Sequence, residues 1–273
     1  AVLDAPETLV LESKKADTVY IPDITFSEGL QDYSRNTGFS STDVNLSWTS
    51  YTFSNDRGNQ FQVDRMDENE TVNVIMANVI GEFISTKVSP EIDAYRFEQM
   101  YGNAGNTVTE TLSSANDIEQ KIDTAMEKLD SAGVPEEGRH LFIRPDVYSW
   151  LKQDVSRQFG SGVNIERGVQ TFDGMPIHKV PQSRFWGNVT LDAGGGYSHT
   201  DAGTSTVEYI QFIVVHESAV FPIAKHQKPR IFSPEENQSA DAWLFDYRIY
   251  HDMFVPSNKE DGIYASVEEV DES

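Results

Sequence analysis

Apolar and polar positions along the chain change period several times, and each change predicts a different element. Val44, Leu46 and Trp48 alternate with Asn45, Ser47 and Thr49, and Tyr51 and Phe53 follow one residue out of phase, which predicts a strand with a bulge. Asn55 to Asn59 forms a polar turn, after which Phe61 and Val63 resume the alternation, so the whole segment reads as a long hairpin. Its second face has few apolar residues, which suits either a projecting hairpin or one within a larger sheet. Upstream, Leu9 to Leu11 and Val19 to Ile24 are short apolar stretches broken by Pro6, Pro22 and Gly29. They read as an extended arm lying across another part of the protein or a neighbouring copy, or else as an edge strand with a loop.

From Asp67 the period becomes helical. Val72, Ile75, Met76, Val79, Ile80, Phe83 and Ile84 recur at spacings of three and four behind the acids Asp67, Glu68 and Glu70, which suit a helix N-terminus. The spacing predicts a helix to about Val88, then a second one opened by Ser89 and Pro90 and ended by Gly102, together a rigid spine. Small polar residues from Gly102 to Ser114 mark a boundary. A third helix is predicted from Ala115 to Ser131, striped by Ile118, Ile122, Met126 and Leu129 and stopped by Gly133. The strand Leu141 to Ile143 and a short helix from Pro145 follow, and helix, strand, helix in so short a span indicates α+β layering. Further on, Phe172 to Val180 is a strand pair around Gly174, Gly194 to Gly203 a flexible loop, and Val207 to Val215 and Ala219 to Ala224 are strands. Trp243 to Val255 is the longest strand, and the residues after Ser257 read as an acidic tail with a frayed end.

Composition narrows the functions open to such a chain. In 273 residues, 38% of them hydrophobic, there is enough apolar material for one large domain or two modest ones. Lys and Arg total 21 against 44 Asp and Glu, a net charge of -23, which argues against nucleic-acid binding through a basic surface. The absence of cysteine excludes disulfides, thiolate metal sites and cysteine nucleophiles. No apolar run approaches the roughly 20 residues that cross a bilayer, which predicts a soluble chain with no membrane partner and no visible export signal. Ala1 at the first position fits loss of an initiator Met, a boundary of the expressed segment, or removal of a longer leader.

The search for chemistry predicts no catalytic, cofactor or metal residue. His216 and Glu217 resemble half of a zinc-protease helix motif, but Val220 stands where the second histidine belongs. Gly194 to Gly196 lacks the Lys-Ser or Lys-Thr of a phosphate loop, and Gly160 to Gly162 lacks nucleophile-elbow spacing. Asp64, Asp67, Glu68 and Glu70 have no calcium-loop spacing. What remains is the aromatic content of the hairpin. Trp48, Tyr51 and Phe53, with Arg57 and Phe61, are the candidate inter-subunit contacts, since aromatics and arginine concentrate at interfaces.

The order arm, long hairpin, spine, α+β unit and returning long strand, with particular segments, resembles the major capsid proteins of tailed double-stranded DNA bacteriophages, the Hong Kong 97-type fold family. GLQDYSRN at Gly29 to Asn36 and DVNLSWTSYTFSNDRGNQFQVDRMDENET at Asp43 to Thr71 are similar to the family's arm-to-hairpin passage. AGVPEEGRHLFIRPDVYSWLKQD at Ala132 to Asp154 and VVHESAVFPIAKHQKPRIFSP at Val214 to Pro234 are similar to its central domain. The resemblance implies an N-terminal arm at 1–40, an extended hairpin loop at 41–66, a peripheral domain with the spine helix at 67–111, an axial domain at 112–239, and peripheral return strands with an acidic tail at 240–273.

It further implies a non-enzymatic subunit that assembles as pentamers and hexamers into an icosahedral head in the host bacterial cytoplasm. Partners would be scaffolding, portal and decoration proteins and packaged DNA held without sequence-specific binding. An acidic inner wall would enclose DNA without gripping it, and subunits of charge -23 would close only once arm and hairpin contacts, helped by screening, outweigh repulsion. An encapsulin-like nanocompartment is the alternative within the same fold, and an acidic extracellular hydrolase or glycan-binding module the alternative outside it.

Overall fold

A computed structural model describes residues 3, 11–12, 17–33, 35, 43–64, 72–112, 114–154, 169–199 and 206–271. Most of the predicted arm before Asp17, the acidic lead Asp67 to Glu70, Gly160 to Gly162, and the end of the Gly194 to Gly203 loop lie outside these residues.

Strands β1 (Leu11–Glu12), β2 (Thr18–Phe26) and β3 (Val44–Thr52) form an antiparallel ribbon in that order. β4 (Asn55–Asp64) follows after only Phe53 and Ser54, yet joins a different sheet. The hairpin expected across 41–66 is therefore not formed. β3 pairs with β2, Val44 opposite Phe26 and Thr52 opposite Thr18, while β4 pairs with a strand near the C-terminus. The polar run Asn55 to Asn59, expected to turn, is the first half of β4, because β13 satisfies its backbone while Asp56 pairs with Arg248 and Arg57 with Glu91.

The spine is one continuous rod from α1 (Val72–Phe83) through a five-residue π-helical stretch, Ile84–Val88, into α2 (Ser89–Gly102). At 1.5 Å per residue it is about 46 Å long. The break expected at Ser89 does not occur, since Val88 and Ser89 both have helical dihedrals. Pro90 cannot donate the usual hydrogen bond inside a helix, and the π-turn just before it absorbs the defect. Ser89 N–H reaches back five residues to Ile84, and the Ser85 and Thr86 hydroxyls both donate to the Glu82 carbonyl.

Beyond the spine come β5 (Asn106–Thr109), α3 (Ala115–Ser131), β6 (Arg139–Ile143), α4 (Pro145–Asp154), β7 (Thr171–Phe172), β8 (Met175–Lys179), β9 (Thr190–Leu191), β10 (Tyr197–Ser198), β11 (Thr206–His216), β12 (Phe221–Phe232), β13 (Ala242–Phe254) and β14 (Ile263–Asp271). Six of them make one sheet in the order β5-β14-β11-β6-β8-β7, in which β5–β14 and β6–β8 are parallel. Phe97 and Met100 of α2 pack on one face with Phe142, Ile213 and Ile263; Ile118, Ile122 and Leu129 of α3 and Val147 and Leu151 of α4 pack on the other with Leu141, Phe212 and Tyr264. Asp173 and Gly174, both at positive φ, turn β7 into β8 as a two-residue hairpin requires.

β12, β13 and β4 form the second sheet, and the spine covers one face of it through Phe83, Ile84, Val88 and Ile92 against Phe61, Phe245, Tyr247 and Ile249. Two segments thus belong to sheets other than those expected. β12, placed in 112–239, pairs with β13, and the supposed acidic tail supplies β14, a central strand whose Ile263 to Val267 are buried. The acids Glu268 and Glu269 sit where β14 emerges toward solvent.

Candidate assembly surface

The ribbon has a buried root and an exposed blade. At the root, Val19, Ile21 and Phe53 pack with Phe221 and Phe254, and the Phe53 ring meets Phe254 edge-on at 5.4 Å and Tyr250 at 5.0 Å. The Lys225 ammonium lies 5.1 Å from the Phe53 ring centre and donates to the Thr18 carbonyl at 2.7 Å. A buried carboxylate ties this root to the spine. Asp252 accepts from Ser54 N–H (2.8 Å), Ser54 hydroxyl (2.9 Å), Tyr95 hydroxyl (2.6 Å) and Met253 N–H (2.8 Å). Four donors on one carboxylate compensate its removal from water. Burial, and then the bond to Asp252, hold the Tyr95 phenol as a neutral donor by raising its pKa.

The blade is different. Every residue from Val44 to Ser50 is exposed, so neither face of β3 rests on the subunit. Val44 and Leu46 are each 56% exposed and Trp48 44%, and the strand period sets all three on one face. Leu30 and Tyr33, in the connection between β2 and β3, are exposed as well. Among the described residues β3 is also an edge strand, with β2 on one side alone. At about 3.4 Å per residue the paired stretch extends roughly 30 Å.

The five candidate contacts therefore separate. Trp48 stands on the blade, Tyr51 is half-buried at the root against Phe254, and Phe53 is buried within the root. Phe61 stacks on Phe245 and Phe83 under the spine. Arg57 is a bolt inside the subunit: its Nε donates to Glu91 (2.7 Å), Nη1 to the Asp192 carbonyl (2.8 Å) and Nη2 to the Gly196 carbonyl (3.2 Å). It joins β4, α2 and the β9–β10 turn, where Gly195 and Gly196 take the positive φ that only glycine adopts freely. Replacing Arg57 with alanine should cost about 1–3 kcal/mol, since Glu91 loses its partner in a half-buried place. Hydrogen exchange should report it as faster opening of residues 190–198, with the ribbon unchanged. Sequence reasoning passed over Val44 and Leu46 as contacts, although their alternation with Trp48 was the available signal. It also missed the Asp252 cluster, whose members lie far apart in the chain.

Beneath Arg57 a cleft of about 700 Å³ opens between the spine, β4, β13 and the glycine turn, and His251 lines its floor. A second cleft, about 470 Å³, holds Asp146 and Glu268, but Arg144 pairs with both. No group of three metal-ligating side chains exists among the described residues, and no helix among them is long and apolar enough to cross a membrane. His216 is spent on structure: its Nδ1 accepts from Ser218 N–H, and its Nε2 donates to the Glu137 carbonyl at 2.9 Å.

No family profile and no curated protein matches the sequence. Solved structures do match. A chain from the capsid structure of the cyanophage P-SCSP1u superposes with a TM-score of 0.67 at 15% identity, covering 93% of this chain and 84% of that one. A chain from the mature capsid of bacteriophage PhiM1 gives 0.60 at 12% identity, covering 94% and 83%. A chain from the SrpI encapsulin complex of Synechococcus elongatus gives 0.51 at 12% identity, covering 92% and 82%. The chain has the Hong Kong 97-type α+β fold.

Proposed function

We propose that this chain is a phage head subunit that self-assembles, through pentamers and hexamers, into an icosahedral shell around double-stranded DNA, without enzymatic activity. The observation that carries the reading is the blade, a two-stranded projection whose β3 sets three exposed apolar side chains in a row, none of them in a core cluster among the described residues. Such an element gains its free energy only against another copy. The fold supports the same reading, because the structures it matches across more than nine-tenths of the chain include two phage capsids. The domain reading that suits it best follows the sheets: a peripheral part of spine, β4, β12 and β13, and an axial part built on the six-stranded sheet. Scaffolding, portal and decoration proteins are the expected partners, and the virion the expected location, with assembly in the host cytoplasm.

An encapsulin-like compartment is the second reading, supported by the encapsulin match, which is the weaker one. Nothing favours the hydrolase and glycan-binding alternatives, since Asp146 and Glu268, the two acids of the second cleft, are both paired with Arg144.

Electron microscopy and sedimentation of the purified protein test the proposal. Wild type should form closed shells. Trp48→Asp should remain as small oligomers at the same melting temperature, because the charge falls where the subunit itself buries little. Wild-type protein that stays monomeric at every salt and concentration, or Trp48→Asp shells indistinguishable from wild type, would sink the idea.

A further inference from the structure

We propose that His140 and His178 form a two-imidazole site for a divalent transition-metal ion of the zinc or copper type, with water at its remaining positions. The site belongs to the single subunit, so it stands apart from the shell-forming reading above.

The two rings meet through strand pairing rather than through any local sequence spacing. β6 and β8 run parallel with Phe142 opposite His178, and His140, two residues before Phe142, falls on the same face. His140 Nδ1 lies 3.2 Å from His178 Nε2, and the ring centres are 5.4 Å apart. Zinc–nitrogen bonds of about 2.0–2.1 Å meeting at a tetrahedral angle set their nitrogens roughly 3.3–3.4 Å apart. The pair therefore already stands close to chelating distance. Without metal, one ring donates its N–H to the lone pair of the other. With metal, both facing nitrogens are bare, and the former donor carries its proton on its other nitrogen, so two neutral imidazoles ligate and no net proton is released.

The surroundings favour the ion. The Phe142 ring lies 5.1 Å from that of His178 and is itself met edge-on by Phe97 at 5.3 Å, which leaves His178 little freedom to lose on binding. Burial lowers the pKa of both rings; at His140 the Glu217 charge opposes it and His216 assists, and at His178 the His140 ring assists. Both rings are thus neutral at pH 7, the form that ligates a metal. Glu217, anchored by its N–H to the Gly138 carbonyl, brings negative charge toward His140 and favours a cation there. Both histidines are only half-buried, which leaves an approach for the ion and its waters. His216 stays out of the site, being held by Ser218 and Glu137. No third imidazole or carboxylate completes a ligand set among the described residues, so the coordination is open. Imidazole selects zinc, copper or nickel, whereas magnesium and calcium require oxygen ligands.

The full-length chain, stripped of metal, tests this with Zn2+ alone. Calorimetry should show one ion per chain. Saturating Zn2+ should raise the melting temperature by a few degrees, because only the folded subunit holds both rings at this distance. His140→Gln and His178→Gln should each weaken binding at least tenfold. Excess Mg2+ should leave the ion in place. With Cu2+ as the probe, electron paramagnetic resonance should show two coupled imidazole nitrogens in wild type and one in either variant. Unchanged affinity in both variants, or release of Zn2+ by Mg2+, assigns the ion to the chain's many carboxylates and overturns the inference. A wild type whose melting ignores Zn2+ does the same. The Cu2+ spectrum of wild type decides the matter even where a variant folds poorly, since fewer than two coupled nitrogens there also overturns the site. Whether the protein forms shells changes none of these readings.

Discussion

Replacing Phe53 with alanine lowers the unfolding free energy of the unassembled subunit by about 3–5 kcal/mol, whereas replacing Trp48 changes it by less than about 0.5 kcal/mol. The two aromatics are five residues apart on one apolar pattern, and only tertiary structure distinguishes them. Phe53 is 5% exposed and fills the space between Val19, Ile21, Phe221 and Phe254, so its removal leaves a cavity that the rigid Asp252 cluster beside it cannot close. Losing the Phe254 and Tyr250 ring contacts adds to the cost. Trp48, 44% exposed on a blade that touches no core, loses little when truncated. Urea unfolding of both variants under dissociating conditions measures the difference as a shift of midpoint at constant slope. Equal losses would place Trp48 in a core, and the blade would then not be a projection. Phe53→Ala should also lose assembly, but as a consequence of a loosened root, and a Phe53→Leu variant that regains stability should regain shells with it.

How much of this was legible in the sequence depends on whether the deciding interaction was local. The α3 helix from Ala115 to Ser131, the helix at Pro145 and the long β13 all announce themselves through period and caps: Ser114 accepts from Asp117 N–H, and Gly133 stops α3 at positive φ. Pairing is not local. β3 and β4 look like the arms of one hairpin because both alternate and a polar stretch with a glycine separates them, yet their partners lie at 18–26 and 242–254. β5, Asn106 to Thr109, has a single apolar residue, Val108, too few to show an alternation, and it forms a strand along the edge that β14 offers. β14 was masked by its acids, which the exposed end of a strand tolerates. The split at Ser89 failed for a related reason, since Ser-Pro is the signature of a helix start and nothing in the sequence shows that a π-turn has already absorbed the proline. Among the candidate contacts, composition drew attention to the aromatic segment but could not tell blade from root, because burial of Phe53 depends on Phe221 and Phe254 about 170 and 200 residues away.

Acid weakens the subunit through His251, by about 3 kcal/mol between pH 6.5 and pH 4. The side chain is 1% exposed and neither ring nitrogen has a hydrogen-bond partner in the described structure. Burial, and then the positive charge of Arg96, depress its pKa to about 4; Arg57 acts the same way, while Asp252 and Glu91 oppose them. Neither carboxylate is at liberty to receive the imidazolium. Asp252 is filled by Ser54, Tyr95 and Met253, and Glu91 is held by Arg57. In the folded subunit the ring therefore stays neutral down to about pH 4, while in the unfolded chain it takes up its proton near the usual 6.5. Between those values the unfolded state binds more protons, so stability is complete above pH 6.5, falls as pH drops, and stops falling on this account below about 4. His140 and His178, which meet at 3.2 Å, are also depressed by burial and push the same way. His251→Phe isolates the effect, because it keeps an aromatic ring against Tyr95 and removes two unpaired nitrogens, so it should be neutral or stabilising at pH 7. Denaturant unfolding of both proteins at pH 7 and pH 4.5 gives the answer: the loss on acidification should be smaller in His251→Phe by about 2–3 kcal/mol, the carboxylate contribution being common to both. Identical losses would mean that the fold accommodates the proton, either by letting water into the cleft beneath Arg57 or by freeing Asp252 from the ribbon root.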